Sequence, residues 1–295
     1  MRRSLADSLD EGEDAYEPVA QRPRSQDASQ DEEEEHSFSQ TDNPPPRTPQ
    51  GFREVFDPMR RRHTKSIQDR VHGQVLLPGF LVAVMDTQEF QRLERIKQLG
   101  GCAYVYPSAS HTRKEHSIGV AYLAGMMARH LQENQPELEI DRDDILCVEC
   151  AALVHDLGHG PFSHMFETFM ESLEVEGATQ HWEHENMSGA LFRLLLTRNN
   201  IPVWEYFDQP HHNPVIDHHI NFIVRLISGL KDSKPWPEDM GRSTKKRFLF
   251  DIVSNSRNGI DVDKLDYLVR DSMACFGSPK PPGFDIYRII KSTRV

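Results

Sequence analysis

Val154-His155-Asp156-Leu157-Gly158-His159-Gly160-Pro161-Phe162-Ser163-His164 is the stretch from which the rest of the chain is best read. An apolar run, Cys147 to Val154, ends in an adjacent His-Asp pair, and two more histidines follow within eight residues. Imidazole and carboxylate are the side chains that hold borderline divalent metals. Gly158, Gly160 and Pro161 end the helix and free the backbone to wrap a site. A capped helix end with surface histidines would explain one histidine. It does not explain a His-Asp pair and two further histidines directly after a buried-looking helix.

The flanking helices follow outward from there. Arg142-Asp143-Asp144 leads the helix that reaches Val154, apolar on nearly all sides and therefore central. Cys147 and Cys150 lie inside it and read as small buried side chains, since a redox or zinc pair needs a loop or helix start. Upstream, Ser108 to Ser117 is a polar loop with His111, Arg113 and His116, before a long helix over roughly Ile118 to Gln132. Asp86-Thr87 offers an N-cap for a helix over Gln88 to Leu99, with Phe90, Leu93 and Ile96 as its stripe. Tyr104 to Pro107 reads as a short extended piece, and His72 to Gly79 as a turn or strand entering a helix.

Downstream, one helix runs through Phe166, Phe169 and Leu173, and another over Asn186 to Leu196, opened by His184 and Glu185. Residues 200–220 read as a loop, its pairs His211-His212 and His218-His219 solvated for want of a partner carboxylate or thiolate at ligand spacing. Phe222 to Leu230 is helical, Ser233 to Ser243 is a loop, and Tyr287, Ile289 and Ile290 mark an amphipathic helix near the end. Arg257 to Asp271 wound at about 100° per residue puts Asp263, Lys264, Tyr267, Arg270 and Asp271 on one side. Val262, Leu265, Leu268 and Val269 fall opposite, against the core.

Composition bounds the function. The net charge is -12, and residues 1–50 carry 13 acidic against 5 basic side chains, so most of the excess sits in the tail. Global charge gives no argument for nucleic acid. Four cysteines make no disulfide framework, and no signal-peptide core or run of eighteen apolar residues occurs. The chain is expected to be nuclear or cytosolic, not secreted and not in a membrane. Short basic runs at Arg2-Arg3 and Arg60 to Lys65 are weak nuclear-import signals. Residues 1–60 read as a disordered acidic, Pro-rich tail, with Asp31 to Glu35 as a like-charge block and Pro44-Pro45-Pro46 barring a helix. Residues 61–295 form the globular domain.

If His116, His155, Asp156 and Asp263 converge on one metal, they fill part of its shell and leave positions open for water or a phosphate oxygen. Arg113 and Lys264 would neutralise phosphate charge. His159, His164 and His184 are free for proton transfer near neutral pH, with Glu167 and Glu185 to orient them. From the residues alone this is a metal-assisted phosphoester or phosphoanhydride hydrolase.

The spacing His116…His155-Asp156…Asp263 resembles the signature of the HD-domain phosphohydrolases. The blocks Phe90 to Leu93, Ser110 to Ser117, His155 to His164 and Arg257 to Lys264 are similar, more narrowly, to the vertebrate SAM-and-HD-domain deoxynucleoside triphosphate triphosphohydrolases. That resemblance implies a mostly α, HD-domain helical fold and cleavage of a dNTP to deoxynucleoside and inorganic triphosphate. It implies metal ligation by His116, His155, Asp156 and Asp263, the ion being iron, zinc or manganese, with magnesium on the nucleotide. His159, His164 and His184 would serve catalysis with Glu167 in support. Gln98, Leu99, Arg113, Lys264, Tyr267 and Asp271 would contact substrate, and Lys65, Asp86, Gln91 and Val105 a regulatory nucleotide.

The implied partners are dNTP substrates, GTP and dNTP effectors, a homo-oligomer and single-stranded nucleic acid. Three positions depart from the pattern: Glu94 for an arginine facing regulatory guanine, Glu167 for an aspartate, and Lys114 for an aromatic residue. The chain also reads as a truncated form, without the SAM domain and the C-terminal lobe. An impaired homologue that binds nucleotide, nucleic acid or the full-length enzyme is one alternative. Activity on ribo- or cyclic nucleotides is the other.

Overall fold

The computed structural model describes residues 63–173, 182–208, 213–231, 233–277 and 284–295. The acidic tail assigned to residues 1–60 and the pair His211-His212 lie outside them. A two-stranded antiparallel hairpin comes first, β1 (Thr64–Asp69) with β2 (Gly73–Pro78), in a register that sets Asp69 opposite Gly73. Asp69 closes its turn by accepting the Val71 and His72 amides on Oδ1, both at 2.8 Å. Among the described residues, the longer elements after the hairpin are α-helices: α1 (Gly79–Met85), α2 (Gln88–Gln91), α3 (Arg113–Asn134), α4 (Arg142–Val154), α5 (His164–Ser172), α6 (His184–Arg198), α7 (Asn213–Ser228), α8 (Phe248–Val253), α9 (Val262–Phe276) and α10 (Ile286–Ser292).

Helix α4 is the axis of the core. Asp141 caps it in a reciprocal box with Asp144, and every residue from Asp143 to Val154 is buried, Cys147 and Cys150 included. α3 packs along one side of α4, α7 along another, and α9 and α10 close over α3. α3 starts at Arg113, five residues earlier than its apolar stripe suggests, because Thr112 and Glu115 form a capping box. His116 therefore sits in the first turn of a helix instead of in the loop before it.

Four expectations fail for physical reasons. The helix over Gln88 to Leu99 is only α2 plus a 3-10 turn, Arg92–Arg95, after which Ile96 is extended. Tertiary hydrogen bonds take over there: Arg113 N donates to Ile96 O at 2.9 Å and Gln98 N to His111 O at 3.1 Å. Tyr104 to Pro107 is not extended; Tyr104 ends a 3-10 turn begun at Gly100. Residues 213–220 are not loop but the start of α7, since proline in a first helical turn lacks no needed donor. Finally, Arg270 and Leu268 are on the wrong sides of α9: Arg270 is 2% exposed and Leu268 38%.

Candidate metal centre and active site

α3, α4 and α9 each deliver one part of a buried polar cluster. His116 comes from the first turn of α3 and is fully buried. Its Nδ1 lies 2.8 Å from Asp266 Oδ2, which fixes Nδ1 as the protonated nitrogen and turns Nε2 inward. His155 caps the end of α4, and its Nδ1–H donates to Ala152 O at 2.8 Å, with the same result. Asp156 follows it, and Asp263 enters from the first turn of α9, whose N-cap is Asp261. His116 Nε2 lies 2.8 Å from Asp263 Oδ1 and 3.6 Å from Asp156 Oδ2. His155 Nε2 lies 3.4 Å from Asp156 Oδ1 and 3.5 Å from Asp263 Oδ1.

Both Nε2 atoms are buried and lie close to carboxylate oxygens, but neither is aligned for a hydrogen bond. An orphaned buried nitrogen is costly, and two that face the same two carboxylates share one cause. The donor set, two imidazoles and two carboxylates, fits a divalent ion of the zinc, iron or manganese type. Charge balance points the same way. Burial works to keep His116 neutral, but Asp263 and Asp266 outweigh it and lift its pKa to about 10. Burial likewise opposes ionising Asp156, yet Arg113, His155 and His159 hold its carboxyl well below the ordinary range. The pocket is thus built for positive charge between two carboxylates, which protons or a divalent cation can supply.

A second group lies beside the first. Glu167 of α5 accepts from His164 Nδ1 on Oε2 at 2.8 Å and from His184 Nδ1 on Oε1. It also takes the His184 backbone amide at 3.1 Å and so ties the N-terminus of α6 to α5. Burial raises its pKa, but the two imidazoles more than reverse that and bring it to about 2. His159 stacks on His184 with ring centroids 4.0 Å apart and stands edge-on to His164 at 4.9 Å. Its Nε2 is 3.3 Å from Asp156 Oδ1, which joins the two groups. Burial pushes His159 down to about 4 against the pull of Asp156. The turn that makes this possible requires Gly158: a Cβ there would overlap His184 O and crowd Ser188 N. Ser188 Oγ closes the same join, accepting from Gly158 N at 2.7 Å and donating to His155 O at 2.6 Å.

The remaining expected residues separate into two sets. Arg113 is buried; its Nε donates to Ser163 Oγ at 2.9 Å and its Nη1 to Asp156 Oδ2. Ser163 and Phe162 hold positive φ, 56° and 61°, so this loop carries backbone strain beside the site. Lys264, Tyr267 and Asp271 are half-buried along α9, and Asp271 accepts from His111 Nε2 at 2.7 Å. Burial and the neighbouring carboxylates raise the Tyr267 pKa. Gln98 is buried with Oε1 unpartnered, and Leu99 beside it is half-buried. Of the residues expected at a regulatory nucleotide, Lys65, Asp86 and Gln91 are engaged by other side chains. Lys65 pairs with Asp86 at 3.1 Å, while Lys114 Nζ reaches Gln91 Oε1 at 2.7 Å and Glu94 Oε2 at 2.8 Å. Val105 is exposed.

Sequence reasoning missed the support behind the site. Asp266, three residues after Asp263, is fully buried and takes His116, His72 Nε2 at 2.6 Å, and Arg270 at 2.7 and 3.0 Å. Arg270 also bridges to Asp69 at 2.9 Å, 201 residues away. Gly119 in α3 leaves room for this pair, since a Cβ would overlap Asp266 Oδ1 and Arg270 Nη2. Arg92 was equally silent: it donates to His159 O at 2.9 Å and Leu157 O at 2.6 Å and so fixes the His-Asp turn. The one available signal was the i, i+3 spacing of two aspartates on one helix.

A profile of the HD domain family matches residues 113–271, from the first residue of α3 to Asp271 in α9. The chain belongs to the HD-domain family. Within it, this HD-domain protein is similar to deoxynucleoside triphosphate triphosphohydrolase SAMHD1 of Gallus gallus, 46% identical over 235 residues, which is 78% of this chain and 37% of that protein. The Homo sapiens protein of the same name is 46% identical over 232 residues, 78% of this chain and 36% of its own length. A SAMHD1 homolog of Dictyostelium discoideum is 39% identical over 212 residues, 72% of this chain and 37% of that protein. The HD-domain chain therefore spans little more than a third of these curated relatives. Among the described residues no helix is long and apolar enough to cross a membrane.

Proposed function

We propose that this chain is the catalytic core of a metal-dependent dNTP triphosphohydrolase, cleaving a dNTP to deoxynucleoside and inorganic triphosphate. One observation carries the reading: two buried imidazole nitrogens, neither aligned for a hydrogen bond, face Asp156 and Asp263, and a His-Glu-His group stands next to them. The activity in the relatives' name is a reaction that such an arrangement can perform. His116, His155, Asp156 and Asp263 would hold the ion, with iron, zinc and manganese all suited to the donors. When bound, that ion supplies a Lewis acid that polarises a phosphate oxygen and acidifies water.

The chain's own residues account for the rest. Water adds to the α-phosphorus, the bond from phosphorus to the 5′-oxygen breaks, and triphosphate leaves the sugar. The departing 5′-oxygen needs a proton. His164 is placed to give it: Nδ1 is held by Glu167, so the ring is oriented and Nε2 is left for the transfer. Glu167 and His184 are positioning residues in this scheme. Arg113 carries the charge for a phosphate oxygen, with a planar fork now shared between Asp156 and Ser163. Lys264 adds a second cation and Tyr267 a hydroxyl on the same helix. Gln98, with a free buried Oε1, suits a donor such as the sugar 3′-hydroxyl.

GTP is a poor effector on this reading. Glu94 cannot donate to guanine O6 or N7, and with Lys114 it forms an ion pair where a guanidinium would be needed. The test is product analysis of the purified chain with dGTP, with and without GTP, in magnesium or manganese. Inorganic triphosphate and deoxyguanosine in equal amounts are expected, at a rate indifferent to GTP. Pyrophosphate or orthophosphate as the first product, or no turnover by metal-loaded protein, would overturn the assignment.

A further inference from the structure

Ser163 occupies the N-cap of α5, where serine ordinarily accepts a backbone amide of the first turn on its hydroxyl. Here it makes no such cap. Its backbone stands at φ 56° and ψ -128°, a conformation that glycine adopts readily and serine only under strain. The residue is buried. Glycine would suit this backbone better, and the helix end makes no use of the hydroxyl. Neither local preference accounts for serine at this position.

The hydroxyl is engaged across the site instead. Oγ accepts from Arg113 Nε at 2.9 Å and donates to Lys97 O at 2.8 Å. Arg113 Nη1 is held by Asp156, which leaves Nη2 for a phosphate oxygen. Lys97 directly precedes Gln98 and Leu99, the pair expected at the sugar. We propose that Ser163 is a positioning residue whose one hydroxyl joins the guanidinium of Arg113 to the loop 97–99, so that the triphosphate and the deoxyribose are held in register. The substrate named here rests on the reaction proposed above.

The surrounding backbone shows why a side chain is needed for this. Loop 96–100 is bound to the start of α3 by main-chain bonds, Arg113 N to Ile96 O at 2.9 Å and Gln98 N to His111 O at 3.1 Å. Those bonds place the chain but not the guanidinium at the end of the Arg113 side chain. On its other flank the loop meets the turn before α5 closely: a Cβ on Gly100 would come to 2.9 Å from Phe162 O. That approach puts Ser163 Oγ within reach of Lys97 O.

Two effects of losing the hydroxyl separate positioning from packing. Arg113 Nε is released, so phosphate binding weakens even where the fold is intact. Gln98 is held less firmly, so the enzyme distinguishes less sharply between dGTP and its dideoxy analogue, which lacks the sugar 3′-hydroxyl.

The test compares Ser163→Ala with Ser163→Gly in the full chain. Both lack the hydroxyl, but glycine relieves the strained φ that alanine keeps, so Ser163→Gly should melt above Ser163→Ala. Each is expected to raise the KM for dGTP about 10-fold, with a smaller change in kcat, and to cut the preference for dGTP over the dideoxy analogue by roughly threefold. The two variants should agree in both readouts although their melting temperatures differ. A KM within about twofold of wild type in either variant overturns the proposal. A loss that follows melting temperature, with Ser163→Gly restored toward wild type, overturns it as well. Calorimetry with inorganic triphosphate separates this inference from the reaction. If the chain shows no turnover but both variants bind triphosphate about 10-fold more weakly, the positioning role stands and the reaction falls. Turnover with triphosphate affinity unchanged in the variants does the reverse.

Discussion

Asp266→Asn tests whether the site depends on what stands behind it. The carboxylate is fully buried and receives four donors from three side chains: His116 at 2.8 Å, His72 at 2.6 Å, and Arg270 at 2.7 and 3.0 Å. An amide of the same size keeps one acceptor oxygen and points two N–H donors at groups that are themselves donors. Two losses follow. His116 is no longer polarised by a charged partner, and removing such support costs about 10- to 100-fold in metal affinity, or about 1.4–2.7 kcal/mol. Arg270 keeps only Asp69, and breaking one arm of a buried ion network costs about 3 kcal/mol or somewhat more. For a domain of this size that lowers Tm by roughly 6–12 °C. Metal affinity is read by chelator competition and Tm by calorimetry of the metal-free protein. Asp69→Asn is the comparison, since it weakens Arg270 but does not touch His116. If Asp266→Asn binds metal within about twofold of wild type, or if Asp69→Asn weakens it equally, the positioning role of Asp266 is wrong.

Three further outcomes are expected. His155→Ala and Asp156→Asn should each lose the ion at the HD motif and all turnover; stoichiometric metal by elemental analysis in either would remove that residue from the ligand set. Gly158→Ala should cost about 1–3 kcal/mol by pushing the start of α6 off the His-Asp turn, and a chemical denaturation midpoint equal to wild type would show that the backbone there has room. His219 is buried against Phe207 and accepts from Arg242, and burial with that guanidinium lowers its pKa to about 4. The unfolded chain therefore binds the proton first, so stability is full above about pH 6.5 and is lost as pH falls towards 4, by at most about 3 kcal/mol. His219→Phe should flatten that slope in urea titrations; an unchanged slope would mean that other groups set it.

Much of the fold could be read because the relevant pattern was local. The apolar run of α4, the cap Thr87 and the break at Gly158 all act over a few residues. The candidate ligands could be singled out because histidine and aspartate in close sequence have few structural uses. What could not be read depends on distant partners. Arg270 looked like a solvated face of α9 because a helical wheel cannot tell a charge in water from one paired with Asp69 across 201 residues. His219 looked like loop for a related reason: its stacking on Phe207 and its bond to Arg242 come from two other segments. The irregular path from Arg92 to Gln98 was set by carbonyls and amides of the site itself. Its sequence favours helix, and the tertiary contacts win.

The bridge from Asp69 to Arg270 fixes where this protein can be cut. The family match begins at Arg113, and a fragment trimmed to that residue would keep every candidate ligand and proton carrier. It would also lose the hairpin, and with it Asp69 and His72, two of the groups packed around the Asp266–Arg270 pair. An excised 113–271 segment would leave a guanidinium half neutralised beneath His116. The smallest autonomous unit must therefore start ahead of β1, and a fragment cut at the bounds of the family match would fail to refold.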